Sequence, residues 1–215
     1  MARPSDDILT STGMEARKPQ GSVRLIACGA LAREILALTA ANGWTHMDLQ
    51  CLPAIYHNHP EKIAPAVEAA VNDARSAGYK DIFVVYADCG TGGGLERLCQ
   101  SLDVGLVPGP HCYSFFDGND AFAARAEDEM TSFYLTDFLV RQFDAFVWKP
   151  LGLDRHPKLR DMYFAHYERL IYLAQVDDAA LTEKAALCAK KLGLTFERRV
   201  TGYGDLPNVL GQYQR

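Results

Sequence analysis

Short apolar runs alternate with amphipathic stretches through the first half of the chain. The run VRLIAC (23–28) predicts a strand, and LAREILALTAANG after it has the apolar spacing of a helix that closes at Gly43. WTHMDLQC (44–51) alternates as a second strand does, and an amphipathic helix is predicted over about 61–77. DIFVVYADC (81–89) has the composition of a buried strand. Strands that alternate with helices predict βαβ units and a mainly parallel sheet.

The second half of the chain extends this pattern around a helical stretch. VGLVPGP (104–110) predicts a short fourth strand, and helices are predicted over about 119–128 and 131–146. RLIYLAQ (169–175) is ambiguous by itself, but the helix and strand that follow it favour a strand in a further βα unit. We therefore predict an α/β fold with a doubly wound, mainly parallel, Rossmann-like sheet and a helical insertion near 119–166.

Composition sets limits on the class of protein. The 215 residues are 48% apolar and 23% charged, which is typical of a globular domain. Residues 1–21 are polar and lack the apolar core of a secretory signal, so we expect a disordered leader before a single domain over 22–215. No apolar run approaches the ~20 residues of a membrane span. We expect a cytoplasmic protein, and its net charge of −5 argues against nucleic acid or an anionic membrane as a partner.

Four of the six cysteines lie at or just beyond predicted strand ends, namely Cys28, Cys51, Cys89 and Cys112. The C-terminal ends of parallel strands share one edge of the sheet, where ligands bind. From Cys28 to Cys89 is 61 residues, and from Cys51 to Cys112 is again 61, which hints at a duplicated βαβ unit. Thiolates from these four cysteines would suit zinc or an iron–sulfur cluster. The alternative is that they are ordinary buried cysteines of βα turns.

Histidines also lie close to this predicted edge of the sheet. His57, after Cys51, and His111, directly before Cys112, would supply a further ligand or a proton-transfer group. His59 is a weaker candidate of the same kind. Cys99 and Cys188 lie inside predicted helices and are expected in the core.

The glycine turn after the third strand, ADCGTGGG, fits neither common nucleotide motif. It lacks the third glycine of a dinucleotide fingerprint, where Leu95 stands, and the lysine of a P-loop. Its backbone N–H groups at a helix start could bind an anionic substrate group, and the same helix end would favour the thiolate of Cys89. The residues predicted to bind the anion are Gly90, Gly92, Gly93 and Gly94.

A resemblance follows from the ordered series ACGAL, CLPAIYHNHP, YADCGTGGGLE, HCYSFF, FYLTDFL and LGLDRHPKLRDMYF, across about residues 22–211. The chain resembles the family catalogued as domain of unknown function 1638. In the family pattern YGDCG is usual, and Ala87 replaces its first glycine here. The resemblance implies an association with corrinoid-dependent methyl transfer or one-carbon metabolism, with a corrinoid protein or a methyltransferase as a partner.

Three hypotheses of function stay open. The first is a cysteine-ligated metal centre in corrinoid-linked methyl metabolism, whose substrate carries an anionic group. The second is a metal-free enzyme in which Cys89 is the nucleophile or redox thiol. The third is a non-catalytic module that docks on a methyltransferase or corrinoid carrier through its aromatic-rich segment 113–148.

Polar residues in the apolar second half have two interpretations. Asp137 and Arg141 are spaced for an i,i+4 ion pair on one helix face, which is favoured over substrate contact. Tyr172 and Gln175, near the end of a strand, could instead face the site.

Overall fold

The computed structural model describes residues 4–15 and 20–213. Its strands are β1 (Val23–Cys28), β2 (Met47–Leu52), β3 (Asp81–Val85), β4 (Gly105–Leu106), β5 (Ser132–Thr136), β6 (Arg169–Ala174) and β7 (Thr195–Val200). Its α-helices are α1 (Asp6–Ser11), α2 (Ala32–Ala41), α3 (Ile63–Ser76), α4 (Gly94–Ser101), α5 (Cys112–Asp117), α6 (Asn119–Ala124), α7 (Asp137–Arg141), α8 (Leu159–Tyr163), α9 (Ala179–Leu192) and α10 (Leu206–Gly211). Short 3₁₀ turns cover Gly29–Leu31, Ala54–Asn58 and Pro60–Lys62, and a π turn covers Asp144–Trp148.

The predicted α/β class with parallel sheets is confirmed, but the strands form two sheets. The chain divides into two compact units, Met1–Cys112 with Leu206–Arg215, and Tyr113–Asp205. The first unit contains a sheet of order β2-β1-β3-β4 and the second a sheet of order β5-β6-β7, and the neighbouring strands within each sheet pair in parallel. The sequence predicted one domain with an insertion near 119–166 because a strand inside that insertion was not recognised.

The order of the first sheet creates a ligand-binding position. From β1 the chain moves to β2 on one side, and then returns to β3 on the other side of β1. The switch point of a doubly wound sheet, where a crevice opens at the strand C-termini, therefore lies between β1 and β3. All six residues of β1 are buried, Arg24 among them, as are Ile82–Val85 of β3, which explains why the other buried positions of both strands are apolar.

The segment expected to be a disordered leader contains α1. The Ser5 side chain accepts a hydrogen bond from the Ile8 N–H and caps this helix, and Leu9 is completely buried. Asp6 pairs with Arg33 at 2.9 Å. The polar composition of the segment did not indicate that Leu9 is part of the core of the first unit. Residues 1–3 and 16–19 of the predicted leader lie outside the described residues.

The leader also covers the outer edge of the sheet. Met14 forms an antiparallel bridge with Cys51 of β2, with N–H···O distances of 2.8 and 2.9 Å. This bridge satisfies backbone groups that an edge strand would otherwise expose.

The second unit corrects the helix predicted over 131–146. Ser132–Thr136 forms strand β5, which pairs with β6, and α7 begins only at Asp137. Because its apolar residues occur in short consecutive runs without a clear period, the segment does not distinguish a buried helix from a buried strand. The strand predicted over 169–175 is confirmed as β6.

Asp137 does not have the side-chain partner that its spacing predicted. Its carboxylate accepts hydrogen bonds from the Tyr172 hydroxyl at 2.7 Å and the Gln175 N–H at 3.1 Å, and all three residues are buried. Burial raises the pKa of Asp137, while these two hydrogen bonds and the charge of Arg141 oppose the rise. Tyr172 and Gln175 therefore hold Asp137 at the strand ends of the second unit.

The described residues include no helix that is long and apolar enough to cross a membrane.

Replacing Gly29 with alanine is predicted to destabilise the first unit. A Cβ at this position would lie 2.4 Å from the Leu9 carbonyl oxygen, so α1 would have to move away from the β1–α2 turn. We expect the free energy of unfolding to fall by about 1–3 kcal/mol, the usual cost of overpacking. Denaturant titration of full-length protein measures the change.

Gly94→Ala is the matched control, because its Cβ would meet only ordinary contacts at 3.8 and 3.9 Å and its backbone needs no positive φ. Equal stability of the Gly29→Ala variant and the wild type would show that the contact between α1 and this turn does not stabilise the fold.

Candidate functional site

Cys89 lies in a strained turn directly after β3. Its φ is 45°, in the left-handed region that residues other than glycine seldom adopt, at a cost on the order of 1–3 kcal/mol. Two hydrogen bonds hold the turn, from the Asp88 N–H to Gly109 O at 3.4 Å and from the Cys89 N–H to Pro110 O at 3.2 Å. The fold thus presents this side chain at the switch point of the sheet through a backbone that the loop before Cys112 keeps in place.

The glycine turn that follows is occupied by a carboxylate of the chain itself. The Asp88 side chain accepts hydrogen bonds from the Thr91 hydroxyl at 2.6 Å, the Gly93 N–H at 2.7 Å and the Gly92 N–H at 3.2 Å. The Thr91 hydroxyl and these N–H groups, with that of Gly90, lower the pKa of Asp88 against its burial.

The anion site predicted at Gly90, Gly92, Gly93 and Gly94 is therefore filled by Asp88. The Gly94 N–H donates to Thr91 O at 3.1 Å, so it too has an internal acceptor. The sequence pattern located the donors correctly but did not reveal that the residue before Cys89 folds back onto them.

Three of the four predicted cysteines lie together. The sulfurs of Cys89 and Cys112 are 3.3 Å apart, within hydrogen-bond distance, and either can be the donor. Cys28 lies beside Cys112, since the two thiols shift each other's pKa. The Cys112 N–H donates to the Cys89 sulfur as well. Cys112 therefore links the end of β1 to the turn after β3, across the switch point.

Cys51 is outside this set in the part of the chain that the structure describes. In the parallel register Cys51 pairs with Ala27, whereas Cys28 pairs with Leu52. Successive side chains of a strand point to opposite faces, so Cys51 and Cys28 face opposite sides of the sheet. Burial raises the pKa of Cys51, with Cys28 and Glu34 as nearby negative charges. Its prediction as a fourth ligand assumed that strand-end position alone decides which side chains meet.

His57 completes the surroundings of Cys89. It lies on the 3₁₀ turn Ala54–Asn58, and the Pro60 side chain just after that turn would contact a Cβ at Gly90 at 3.6 Å. The exposed His57 imidazole is hydrogen-bonded to the Cys89 sulfur, and this bond raises the pKa of His57. The hydrogen bonds from Cys112 and then His57, against burial, lower the pKa of Cys89 to about 5.

The pKa values of the other cysteines depend on whether a donor lies beside the sulfur. Cys28 has a lowered pKa because Cys112 lies beside its sulfur, with help from the Ala30 N–H and against its burial. Cys99 and Cys188 are buried in α4 and α9, as expected for core residues. Burial raises the pKa of each of these two to about 11.

His111 and Tyr86 stand around the cluster in different ways. Burial lowers the pKa of His111, while the charge of Cys89 opposes the shift, so His111 is near the site as predicted but favours its neutral form.

Tyr86 is a member of the site that the sequence analysis did not predict. Its side chain is fully buried beside Cys28, and burial raises its pKa. The strand register indicates its position: Val85 pairs with Ala27, so the next residues of the two segments, Tyr86 and Cys28, lie side by side.

A cleft of about 410 Å³ opens on another side of the glycine turn. Asp88 and Gly93 form one wall, Glu96 and Gln100 of α4 a second, and the segment 104–109 a third. Two carboxylates in this lining disfavour an anion, which opposes the prediction of an anionic substrate group.

Residues 4–15 and 20–213 contain no group of three or more His, Cys, Asp or Glu side chains arranged to hold a metal ion. The zinc ion or iron–sulfur cluster expected from the sequence stays a prediction. The described thiols are connected in series through Cys112, and Cys51 faces away from them.

Comparison with known proteins identifies the family of the chain. The family described as "Protein of unknown function (DUF1638)" matches residues 51–210. The matched region includes His57, Cys89, His111 and Cys112, while Cys28 precedes it. No curated protein and no solved structure matches the chain.

Removing the Asp88 carboxylate is predicted to loosen the glycine turn. In Asp88→Ala the N–H groups of Gly92 and Gly93 lose their acceptor, and we expect the free energy of unfolding to fall by about 1–3 kcal/mol. Asp88→Asn keeps one carbonyl acceptor and should lose less. Denaturant titration of both variants measures the order. Equal stability of Asp88→Ala and the wild type would contradict the self-capped turn.

Proposed function

The chain belongs to the DUF1638 family, and from the geometry of its site we propose that it is a thiol-dependent enzyme whose nucleophile is Cys89. One observation carries the proposal. The Cys89 sulfur stands at the switch point of a parallel sheet, on a left-handed turn, and receives hydrogen bonds from both Cys112 and His57. A thiolate is the nucleophilic form of cysteine, and neighbouring donors and imidazolium groups stabilise it.

The strain at Cys89 supports a functional role over a structural one. A positive φ at a residue with a side chain persists only where the surroundings impose it, and such residues cluster at active sites. A sharp turn between a strand and a helix also carries the nucleophile in the α/β-hydrolase arrangement, where strain exposes the reactive atom. Cys89 occupies the corresponding place between β3 and α4.

Because Asp88 occupies the N–H donors of the glycine turn, the turn does not support every reaction of a cysteine nucleophile. Acyl transfer needs free N–H donors where a carbonyl oxygen becomes negative. Here the N–H groups of Gly92 and Gly93 already donate to Asp88, so the turn does not offer an oxyanion hole. Attack on a saturated carbon or on sulfur develops no oxyanion. We therefore infer that the electrophile is one of these soft centres.

His57 and His111 have separate roles in this proposal. His57 holds the proton that leaves Cys89, and the resulting imidazolium keeps the thiolate in place. His111, which favours its neutral form, is available to accept a proton from a second group at the site. The carboxylates of Asp88 and Glu96 in the neighbouring cleft favour a neutral or cationic substrate.

The methyl-transfer association implied by the family resemblance fits a soft thiolate nucleophile. A methyl group on a good leaving atom is an electrophile of the proposed kind. The corrinoid or methyltransferase partner, the metal centre and the docking module stay predictions. The cytoplasm, where thiols remain reduced, is the location that suits this chemistry.

Alkylation of Cys89 tests the proposal. Its rate with iodoacetamide, followed by peptide mass spectrometry of the native protein, should rise with pH and level off above about 5, because the thiolate form then predominates. An ordinary cysteine levels off only above about 8.5. In His57→Gln the rise should move to higher pH, because that variant lacks the imidazolium that stabilises the thiolate.

Labelling of the buried Cys188 in the same sample is the internal control and should stay slow at every pH. Metal content is measured on the same protein purified without oxygen. Two results would contradict the metal-free thiol enzyme. One is a pH profile of Cys89 alkylation with its midpoint near about 8.5, as for an ordinary cysteine. The other is stoichiometric zinc or iron that is lost in Cys89→Ser.

A further inference from the structure

We propose that Cys112 is the resolving thiol for Cys89, so that the site reduces a small disulfide and is left with a Cys89–Cys112 disulfide. This inference rests on the proposed function and names its electrophile as sulfur. The observation that carries it is the distance of 3.3 Å between the two sulfurs, which lie on separate turns of the first unit.

The backbone around the pair favours bond formation. Cys112 begins α5, and the segment before it is tied to the Cys89 turn by the two hydrogen bonds to Gly109 O and Pro110 O. Because a disulfide has sulfurs about 2.05 Å apart, the sulfurs must approach by roughly one ångström, which side-chain rotation can supply. Cys112 is also more exposed than the other members of the cluster. An incoming disulfide therefore meets the pair and not an isolated thiol.

The chemistry proceeds by two exchanges. The Cys89 thiolate attacks one sulfur of the substrate R–S–S–R, so that Cys89–S–S–R forms and one R–S⁻ leaves. The Cys112 sulfur then attacks the Cys89 sulfur, so that the Cys89–Cys112 bond forms and the second R–S⁻ leaves. The substrate gains two electrons and the two cysteines lose them. A dithiol reductant returns the site to the reduced state by the reverse exchange.

The proton of Cys112 has to leave in the second exchange. The departing second R–S⁻ takes it up and leaves as R–S–H, so the exchange needs no further acid or base. Cys28 lies beside Cys112 and is not consumed in either exchange.

The cluster contains a competing pair, since Cys112 also contacts Cys28. Cys89 is favoured as the partner because His57 faces its sulfur and the first exchange takes place there. A Cys28–Cys112 disulfide would require an exchange that begins at Cys28, beneath the buried Tyr86. The linkage formed on oxidation therefore distinguishes the two arrangements.

The experiment treats reduced full-length protein with cystamine, a small cationic disulfide, quenches with acid, alkylates the remaining thiols and maps disulfides by peptide mass spectrometry. The wild type should yield the Cys89–Cys112 disulfide and release about two equivalents of cysteamine per chain. Cys112→Ser should stop at Cys89 joined to cysteamine and release about one equivalent. Cys188→Ala should behave as the wild type.

Each other outcome has a definite meaning. A persistent mixed disulfide on Cys89 in the wild type would overturn the role of Cys112 and leave Cys89 as the nucleophile. A Cys28–Cys112 linkage would overturn the assignment of the pair. No reaction at Cys89, in protein whose circular dichroism shows a folded chain, would overturn both the inference and the proposed function.

Discussion

The contact between the Cys89 and Cys112 sulfurs, which are 3.3 Å apart, is the interaction on which the site depends. Cys28, at the end of β1, lies beside the same Cys112 thiol, so the cluster includes residues from both sides of the switch point between β1 and β3. Without a donor, Cys89 would be a buried thiol with a raised pKa, as Cys99 and Cys188 are. A hydrogen bond donated to a sulfur lowers the cost of negative charge on it. The reactivity proposed for Cys89 follows from this arrangement and from His57, which the loop after β2 supplies.

The loops around the cluster are held mainly by the protein's own groups. Asp88 occupies the N–H groups of the glycine turn, and α1 packs so closely on the β1–α2 turn that only glycine fits at position 29. The consequence is a site in which the turn geometry is fixed before any ligand arrives. Such preorganisation suits a nucleophile, because no donor has to be reoriented during the reaction. It is unsuited to binding phosphate, since the N–H donors are already in use.

Sequence patterns predicted the class of fold, the clustering of Cys28, Cys89 and Cys112, and the thiolate-favouring turn. These rest on the apolar runs of β1 and β3 and on the rule that parallel strands share a C-terminal edge. Cys51 illustrates where the rule fails, since only the register of β1 with β2 shows that it faces the other side of the sheet. Asp88 and α1 depend on contacts between distant segments, which spacing along the chain does not encode. The strand β5 was missed because an apolar run without periodicity fits both kinds of buried element.

The most direct test of this account is an ultraviolet titration of thiolate absorbance in the reduced, metal-free protein, compared with Cys89→Ser. The account predicts a difference of about one thiolate per chain at neutral pH, because Cys89 is the proposed nucleophile. That difference should disappear on acidification with a midpoint near about 5. A difference that emerges only as the pH rises through about 8.5, the range of an unperturbed cysteine, would contradict it.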